Sequence, residues 1–309
     1  MKFFLTGASG LVGSAFAQAA ARRGHHVTGI VGSFSGALPG VNEKRILDLT
    51  DDVALTAAVL DAFPDAVVNC AAVADPAQCD TDPARAQALN VALPATLARL
   101  AHHLSAKFIH LSSEQVFDGA SASPYSLQST PKPINLYGRQ KLESERLVHA
   151  AAPEFAITLR APLLTGNSLS GQRSLHERLF ADWSAGKTPR VFADEIRQPC
   201  TASNLADLML ELLERNDARG VYHWAGAEAL SRLELARRIR AHFKLSETAA
   251  PIEAVTRADD PRAASKRQAT LALDLKPLAG KVKTPIETFA AQLDQLVIPV
   301  PFRAWYQQA

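Results

Sequence analysis

Residues 2–13 read KFFLTGASGLVG, an apolar run that leads directly into three glycines spaced three residues apart. The apolar run predicts a buried strand, and the periodicity that follows it predicts a helix. Gly7 permits a tight turn, Gly10 leaves room for a ligand beside the backbone, and Gly13 lets the helix pack close to the strand. Free amides at the start of a helix attract anions. The stretch therefore predicts a binding site for the pyrophosphate of a dinucleotide.

A second motif pairs Tyr137 with Lys141, four residues further along the chain. On a helix this spacing places both side chains on one face. An ammonium group beside a phenol favours the phenolate, so we expect Lys141 to lower the pKa of Tyr137 toward neutrality and make the phenol a usable proton donor. The alternative is an ordinary pair on a solvent-facing helix. Residues 107–113, KFIHLSS, favour the first interpretation, because they predict a buried strand that ends in hydroxyl groups where ligands of open α/β sheets bind.

Strand and helix patterns alternate up to residue 160, which predicts an α/β protein with a doubly wound parallel (Rossmann) sheet. Beyond it, helices separated by longer polar stretches predict a smaller C-terminal substrate-binding lobe. We expect a dinucleotide-binding domain at 1–165, to which about 198–226 return, and a mainly substrate-binding lobe at 166–309. Besides the first strand and helix and the helix of Tyr137, the pattern predicts strands at 26–31, 45–49, 66–72, 107–113, 155–160 and 221–226, and helices at 54–63, 84–104 with a kink at Pro94, 172–185, 203–215, 231–243 and 285–296.

The composition argues against several classes of partner. With 309 residues, of which 47% are hydrophobic and 21% charged, the chain is able to bury one large core or two modest ones. The formal net charge is +2 and the basic residues are scattered, so we expect no nucleic acid partner. The three cysteines lack the spacing of metal ligands, so we expect reduced thiols and no metal. The lack of a leader or a long apolar run predicts a cytoplasmic protein without a membrane partner.

Together these motifs resemble the extended branch of the short-chain dehydrogenase/reductase superfamily. Residues 111–119, LSSEQVFDG, are similar to a run found in its dTDP-4-dehydrorhamnose reductase family, and the resemblance extends from Thr6 to Trp224. It implies that NAD(P)H reduces a 4-keto sugar carried on a nucleotide. It also implies that Ser113, at the position of the catalytic hydroxyl, orients the carbonyl oxygen and that Tyr137 protonates it. Lys141 would tune the phenol and hold the nicotinamide ribose.

The motifs and the resemblance together define two sets of ligand contacts. The expected cofactor contacts are Thr6, Gly7, Ser9, Gly10, Leu11, Val12, Gly13, Ser33, Asp48, Leu49, Cys70, Ala71, Ala72, Tyr137 and Lys141. The expected substrate contacts are Glu114, Gln115, Leu163 and Gln198. The loop after the second strand offers Ser33 and Ser35 but no acid to bind ribose hydroxyls and no arginine to clamp a phosphate. We therefore expect a modest preference for NADPH, with NADH also usable.

Three positions depart from the family pattern. Glu114 and Gln115 stand where the family has Asp-Tyr, and Leu163 stands where a Trp is common. These side chains are expected to face the sugar, so the sugar and the nucleotide stay open. The altered pattern also resembles the regulatory subunit of methionine adenosyltransferase, which binds NADP and serves another enzyme. An NADP-binding regulatory subunit without turnover, and an epimerase or ketone reductase of the extended family, are therefore alternatives. A homodimer is an open alternative to a monomer.

Overall fold

A computed structural model of the protein describes residues 1–260 and 264–309. The strands of these residues are β1 (Lys2–Thr6), β2 (His26–Val31), β3 (Glu43–Ile46), β4 (Ala66–Asn69), β5 (Lys107–Ser113), β6 (Ala156–Ala161), β7 (Leu164–Thr165), β8 (Arg190–Phe192), β9 (Ile196–Arg197), β10 (Cys200–Thr201), β11 (Gly220–His223), β12 (Leu230–Ser231), β13 (Glu253–Val255) and β14 (Thr270–Leu271). Seven of them form one parallel sheet in the order β11-β6-β5-β4-β1-β2-β3.

Helices cover both faces of this sheet. The helices of the described residues are α1 (Leu11–Arg22), α2 (Asp52–Ala62), α3 (Pro76–Thr81), α4 (Pro83–Gln87), α5 (Leu93–His103), α6 (Leu136–Ala151), α7 (Leu175–Ser184), α8 (Ala202–Glu214) and α9 (Arg232–His242), with short α-helices at Lys276–Ala279, Phe289–Leu293 and Arg303–Tyr306. Phe3 of β1 packs into a core with α1 and α8, and the next residue, Phe4, packs into a core with α2, α5 and α6. Successive residues of a strand face opposite sides, so burial of both marks a sheet with two covered faces. The predicted fold class is confirmed.

The chain reverses its direction of travel across the sheet beside β1. It runs outward from β1 through β2 to β3 and then crosses back to β4, which pairs with the other side of β1. Ligands of such sheets bind beyond the carboxyl ends of the strands at this reversal. At that end, the Thr6 hydroxyl donates to the side-chain oxygen of Asn69 at 2.7 Å, which ties β1 to β4.

Strand β4 ends at Asn69, short of the predicted residue 72, and two further elements of this half also differ from the sequence prediction. Strand β3 ends at Ile46, short of residue 49, because its partner β2 ends at Val31 and offers nothing further to pair with. The predicted helix at 84–104 is instead α4, a π-helical turn at Ala88–Ala92, and α5. The irregular turn lies just before Pro94, which lacks the amide that would continue an α-helical ladder. Of these two further differences, the first depends on a partner strand, and the second depends on an amide that proline lacks.

The C-terminal lobe has a separate core. Phe180 and Trp183 of α7 pack with Phe243, at the end of α9, and with Phe289. The helix at Phe289 begins later than the predicted residue 285. The residue before it, Thr288, has an extended backbone, and the Phe289 amide donates to the Glu228 carboxylate. Helix α8 and strand β11 lie with the main sheet, although they follow residue 165. Within the described residues, no helix has the length and apolar character to span a bilayer.

Candidate active site

The glycine turn after β1 packs tightly against the backbone around it. Gly7 has a φ of +69°, and a Cβ there would lie 2.8 Å from the Ala71 amide nitrogen. A Cβ on Gly13 would lie 2.2 Å from the Gly7 carbonyl oxygen. Gly10 caps α1 without a side-chain hydrogen bond, and no acid occupies the first turn of that helix. The amides at the start of α1 therefore form a site for an anion at the sheet reversal.

The predicted cofactor residues other than Tyr137 and Lys141, which are on α6, lie at the carboxyl ends of four neighbouring strands, β4, β1, β2 and β3. Thr6 ends β1, and Ser9 lies in the turn that leads to Leu11 and Val12 at the start of α1. The segments that follow the other three strands carry the rest, namely Cys70, Ala71 and Ala72 after β4, Ser33 after β2, and Asp48 and Leu49 after β3. The fold thus brings these separate segments to one edge of the sheet.

Lys44 is a candidate site residue that the sequence analysis did not include. Its Nζ donates to the Gly36 carbonyl oxygen at 3.1 Å and lies 5.6 Å from the centre of the Phe34 ring. This contact brings an exposed cation to the loop that carries Ser33 and Ser35. The loop has no cation of its own, and only the pairing of β3 with β2 reveals that Lys44 reaches it.

Docking of α6 against the turn after β5 brings the catalytic candidates together. The side chain of Asn135 caps α6 by accepting from the Gly138 amide at 2.8 Å. Gly138 packs so closely on the turn that a Cβ would lie 2.2 Å from the Gln115 carbonyl oxygen. Consequently Tyr137 lies beside Ser113, whose hydroxyl hydrogen-bonds to the phenol. Ser113, Tyr137 and Lys141 are all buried in this arrangement.

The pKa of Tyr137 differs from the sequence prediction. Burial raises the pKa of Tyr137 above its usual range, and the hydrogen bond with Ser113 opposes this only in part. The Lys141 Nζ lies 5.8 Å from the centre of the Tyr137 ring and donates instead to the Leu111 carbonyl oxygen at 2.9 Å. The prediction that Lys141 brings the pKa of Tyr137 toward neutrality is therefore wrong, because desolvation dominates. Burial also lowers the pKa of Lys141 to about 8.

The π-helical turn forms hydrogen bonds that support the helix of Tyr137 and Lys141. Its Asn90 accepts from the Val73 amide at 2.9 Å and donates to the Gln140 side chain at 2.9 Å. Asn90 thereby joins the segment after β4, which carries cofactor candidates, to the helix that carries Tyr137. Among the described residues, no group of three or more His, Cys, Asp or Glu side chains is placed to hold a metal ion.

The four predicted substrate residues differ in burial and in the number of hydrogen bonds that their side chains already form. Glu114 is buried, its Oε2 has no partner, and burial raises its pKa to about 8. Gln115 accepts from Asn135 at 2.9 Å, and Leu163 packs against the C-terminal core. Gln198 donates to the Gly226 carbonyl oxygen and accepts from the Leu273 amide, both at 2.8 Å. A substrate contact by Gln198 stays a prediction.

Arg197 is a second residue that the sequence analysis missed. Its Nε lies 3.6 Å from Oε1 of Glu114, so a buried contact between a guanidinium and a carboxyl group joins the turn after Ser113 to β9 of the C-terminal lobe. The signal in the sequence was the charged, alternating run from Glu195 to Arg197, which is unusual for a buried strand. The chain on its own gives no indication that this run faces Glu114.

Comparison with known proteins agrees with this geometry. The chain is 33% identical over 279 residues to methionine adenosyltransferase 2 subunit beta of Xenopus laevis, covering 89% of this chain and 80% of that protein. It is 31% identical to the dTDP-4-dehydrorhamnose reductase of Mycolicibacterium smegmatis, covering 76% of this chain and 67% of that one. The crystal structure of a dTDP-4-dehydrorhamnose reductase from Clostridium acetobutylicum matches with a TM-score of 0.82 at 21% identity, covering 96% and 98% of the two chains. The structural match concerns the fold alone.

The fold and the site define a Rossmann-fold protein of the extended short-chain dehydrogenase/reductase class. The model of the RmlD substrate binding domain family matches residues 1–300, and the chain belongs to that family. The predicted family resemblance is confirmed, as is the predicted class of activity, an NAD(P)-dependent oxidoreductase.

Proposed function

We propose that the protein uses NAD(P)H to reduce a 4-keto group on a nucleotide-linked sugar. The observation that carries this proposal is the burial of Ser113, Tyr137 and Lys141 together at the strand ends beside the glycine turn. A hydroxyl, a phenol and an ammonium are the groups that carbonyl reduction requires. Relatives in the same family include a dTDP-4-dehydrorhamnose reductase, which supports the substrate class.

The protein's own groups supply orientation and a proton. The reduced nicotinamide, when bound, supplies the hydride. The Ser113 hydroxyl donates to the carbonyl oxygen and orients it, and the Tyr137 phenol protonates that oxygen as negative charge develops on it. Because burial raises the pKa of Tyr137, the phenol is protonated at neutral pH, which suits reduction. The Lys141 ammonium lies close enough to stabilise the phenolate that remains.

The end of β2 supports a preference for NADPH. An acid at this place would repel a 2′-phosphate, and the loop from Gly32 to Gly36 has none. Ser33 and Ser35 provide hydroxyl donors, and Lys44 adds a positive charge. NADH remains usable because nothing in the loop excludes it.

An NADP-binding regulatory subunit without turnover is the second candidate. The 33% identity to a methionine adenosyltransferase subunit beta favours it. It requires the cofactor turn but gives no use to a buried hydroxyl, phenol and ammonium in one place. The reductase therefore accounts for more of the site.

Turnover decides between the two candidates. Purified protein is mixed with NADPH and with 4-keto sugars linked to dTDP, UDP or GDP, and the loss of NADPH fluorescence is followed. The expected result is cofactor oxidation with at least one of these sugars and a reduced sugar in equal amount. Tight NADPH binding without oxidation by any of them contradicts the reductase and favours the regulatory subunit.

The lobe at 166–309, the cytoplasmic location and the homodimer are proposals of the same kind. The free thiols of Cys70, Cys79 and Cys200 support a reducing compartment. Sedimentation of the purified protein measures its assembly, and a single species with the mass of one chain contradicts the homodimer.

A further inference from the structure

Helix α6 carries Tyr137 and Lys141, yet the face that it buries is mostly polar. Its buried residues are Tyr137, Gly138, Gln140, Lys141, Ser144, Glu145 and Val148, and only the last of these is aliphatic. A helix normally packs against a sheet through an apolar stripe. Because α6 has little of such a stripe, its position along β5 depends to an unusual degree on hydrogen bonds.

Two hydrogen bonds join α6 to the two ends of one stretch of β5. At one end, the Ser113 hydroxyl bonds to the Tyr137 phenol, and at the other end His110 Nε2 lies 2.9 Å from Ser144 Oγ. The helix rises about 10.5 Å from Tyr137 to Ser144, and the strand rises about 10 Å from His110 to Ser113. Because these lengths match, both bonds form in the same register of α6 on β5.

The neighbours of the His110 ring determine which of its nitrogens carries the proton. Thr6 Oγ1 donates to Asn69 Oδ1 at 2.7 Å, so the Asn69 amide nitrogen is left to donate to His110 Nδ1 at 3.2 Å. The acceptor role of Nδ1 puts the proton on Nε2, which donates it to Ser144 Oγ. The Ser144 hydroxyl donates to the Lys141 carbonyl oxygen at 2.8 Å. A directed chain of buried hydrogen bonds thus runs from β1 to the backbone of Lys141.

The surroundings of His110 keep its ring neutral. Burial lowers the pKa of His110 well below its usual range, and the charges of Lys141 and His149 act in the same direction. A second proton, on Nδ1, would face the amide hydrogens of Asn69, where no acceptor lies. A neutral ring with one fixed donor is suited to holding its partner in place.

The bond at Ser144 is stiffer than the neighbouring contact at Glu145. The Ser112 hydroxyl donates to the Glu145 carboxylate, which also pairs with Arg160 at 2.7 Å. A glutamate side chain has several rotatable bonds, so this contact is able to follow a small shift of the helix. The short side chain of Ser144 has no such reach, and a shift of α6 would break its hydrogen bond with the ring.

We propose that His110 is a positioning residue that acts through Ser144 to hold α6 in the register that aligns the Tyr137 phenol with Ser113. The inference rests on the proposed function. The orientation of reacting groups contributes strongly to rate, and a displacement of about 1 Å lowers it on the order of 100-fold. His110 touches no reacting atom in this role, because its effect reaches the acid through the backbone of α6.

Ser144→Ala and Thr158→Val are matched deletions of one buried hydroxyl. Thr158 lies beside His110 on β6, is as buried as Ser144, and its Oγ1 has no hydrogen-bond partner among the described residues. For each chain, kcat and KM are measured in H2O and in D2O with a nucleotide-linked 4-keto sugar that the wild type reduces, and the NADPH dissociation constant is measured by fluorescence.

The expected effect of Ser144→Ala is a loss in the chemical step alone. We expect kcat to fall about ten- to hundredfold, with KM and NADPH affinity within about twofold of wild type. The solvent isotope effect on kcat is expected to rise, because a misaligned phenol makes proton transfer limit turnover. Thr158→Val is expected to leave all these quantities within about twofold of wild type.

Replacement of the ring separates its donor from its shape. His110→Gln retains an N–H near the place of Nε2, whereas His110→Phe fills the space without a donor. We expect His110→Gln to retain about tenfold more turnover than His110→Phe. The double variant His110→Phe with Ser144→Ala is expected to lose no more than His110→Phe, since both changes remove the same bond.

The outcomes separate the inference from the proposed function. A lower kcat with a larger solvent isotope effect in Ser144→Ala, beside a normal Thr158→Val, supports the inference. Wild-type kcat in Ser144→Ala overturns it and leaves the proposed function intact. A lower kcat with an unchanged isotope effect also overturns it, because that result indicates less active protein and not a misaligned acid. A wild-type chain that reduces no nucleotide-linked 4-keto sugar overturns the proposed function and the inference with it.

Discussion

The main sheet and the C-terminal lobe bring polar groups together by different means. At the sheet, backbone amides and glycines of one short turn form the anion site, and only Gly7, Gly10 and Gly13 are needed to build it. In the lobe, the charged side chains come from segments that are far apart in the chain, and they compensate one another incompletely. A turn built from backbone groups is therefore recognised from a short sequence motif. A cluster of side chains from distant segments is recognised only in the folded structure.

The largest effect on turnover is expected from one side chain at the edge of the main sheet, that of Tyr137. Tyr137→Phe removes the proton donor and leaves the glycine turn unchanged. We expect turnover to fall about 10²- to 10⁴-fold, with NADPH affinity within about twofold of wild type. Fluorescence of NADPH measures both quantities. Tyr222→Phe, which removes a phenol on β11, is the control, and wild-type turnover in Tyr137→Phe would show that another group is the acid.

The glycine turn after β1 is expected not to tolerate a Cβ atom at Gly13. Gly13→Ala places a methyl group 2.2 Å from the Gly7 carbonyl oxygen, so the turn has to move. We expect NADPH affinity to fall about ten- to hundredfold. Gly280→Ala, at a position with open space around it, serves as the control in the same titration. Unchanged affinity in Gly13→Ala would mean that the cofactor does not depend on this turn.

The side-chain site is expected to respond to pH. The pKa of Glu114 is raised from 4.5 to about 8 by burial, so the folded state holds a proton that the unfolded state releases. Between these values stability falls as pH rises. Relative to Glu114→Gln, the wild-type Tm should fall on the order of 5 °C between about pH 5 and about pH 8. Glu154→Gln, at an exposed carboxylate, should parallel wild type; parallel curves for Glu114→Gln would contradict the assignment.

The smallest expected effect concerns cofactor choice. Lys44→Met removes the cation that reaches the loop of Ser33 but leaves the glycine turn intact. We expect NADPH affinity to fall about three- to tenfold with NADH affinity unchanged, since an exposed charge pair contributes little. Dissociation constants for both cofactors measure this, with Lys187→Met as a control at an exposed lysine of the lobe. A parallel loss for both cofactors would remove Lys44 from phosphate recognition.

The sequence predictions were accurate where a structure depends on neighbouring residues in the chain, and less accurate where it depends on contacts with distant residues. Strands β2 and β5 have the predicted bounds, because apolar runs between turns specify a buried strand locally. Strand β3 and the π-helical turn were missed in part, since their limits depend on the end of β2 and on a missing amide at Pro94. The pKa of Tyr137 was predicted with the wrong sign because burial is a property of the folded chain.

By itself, the sequence determined the alternation of strands and helices, the glycine turn and the spacing of Tyr137 and Lys141, because each depends on residues that are close together in the chain. Only the tertiary structure decided which charges meet. It brought Lys44 to the loop after β2, and it placed Arg197 and Arg232 near Glu114. The physical reason is that electrostatic interactions and desolvation depend on distance and burial in space, and neither is encoded in the spacing of residues along the chain.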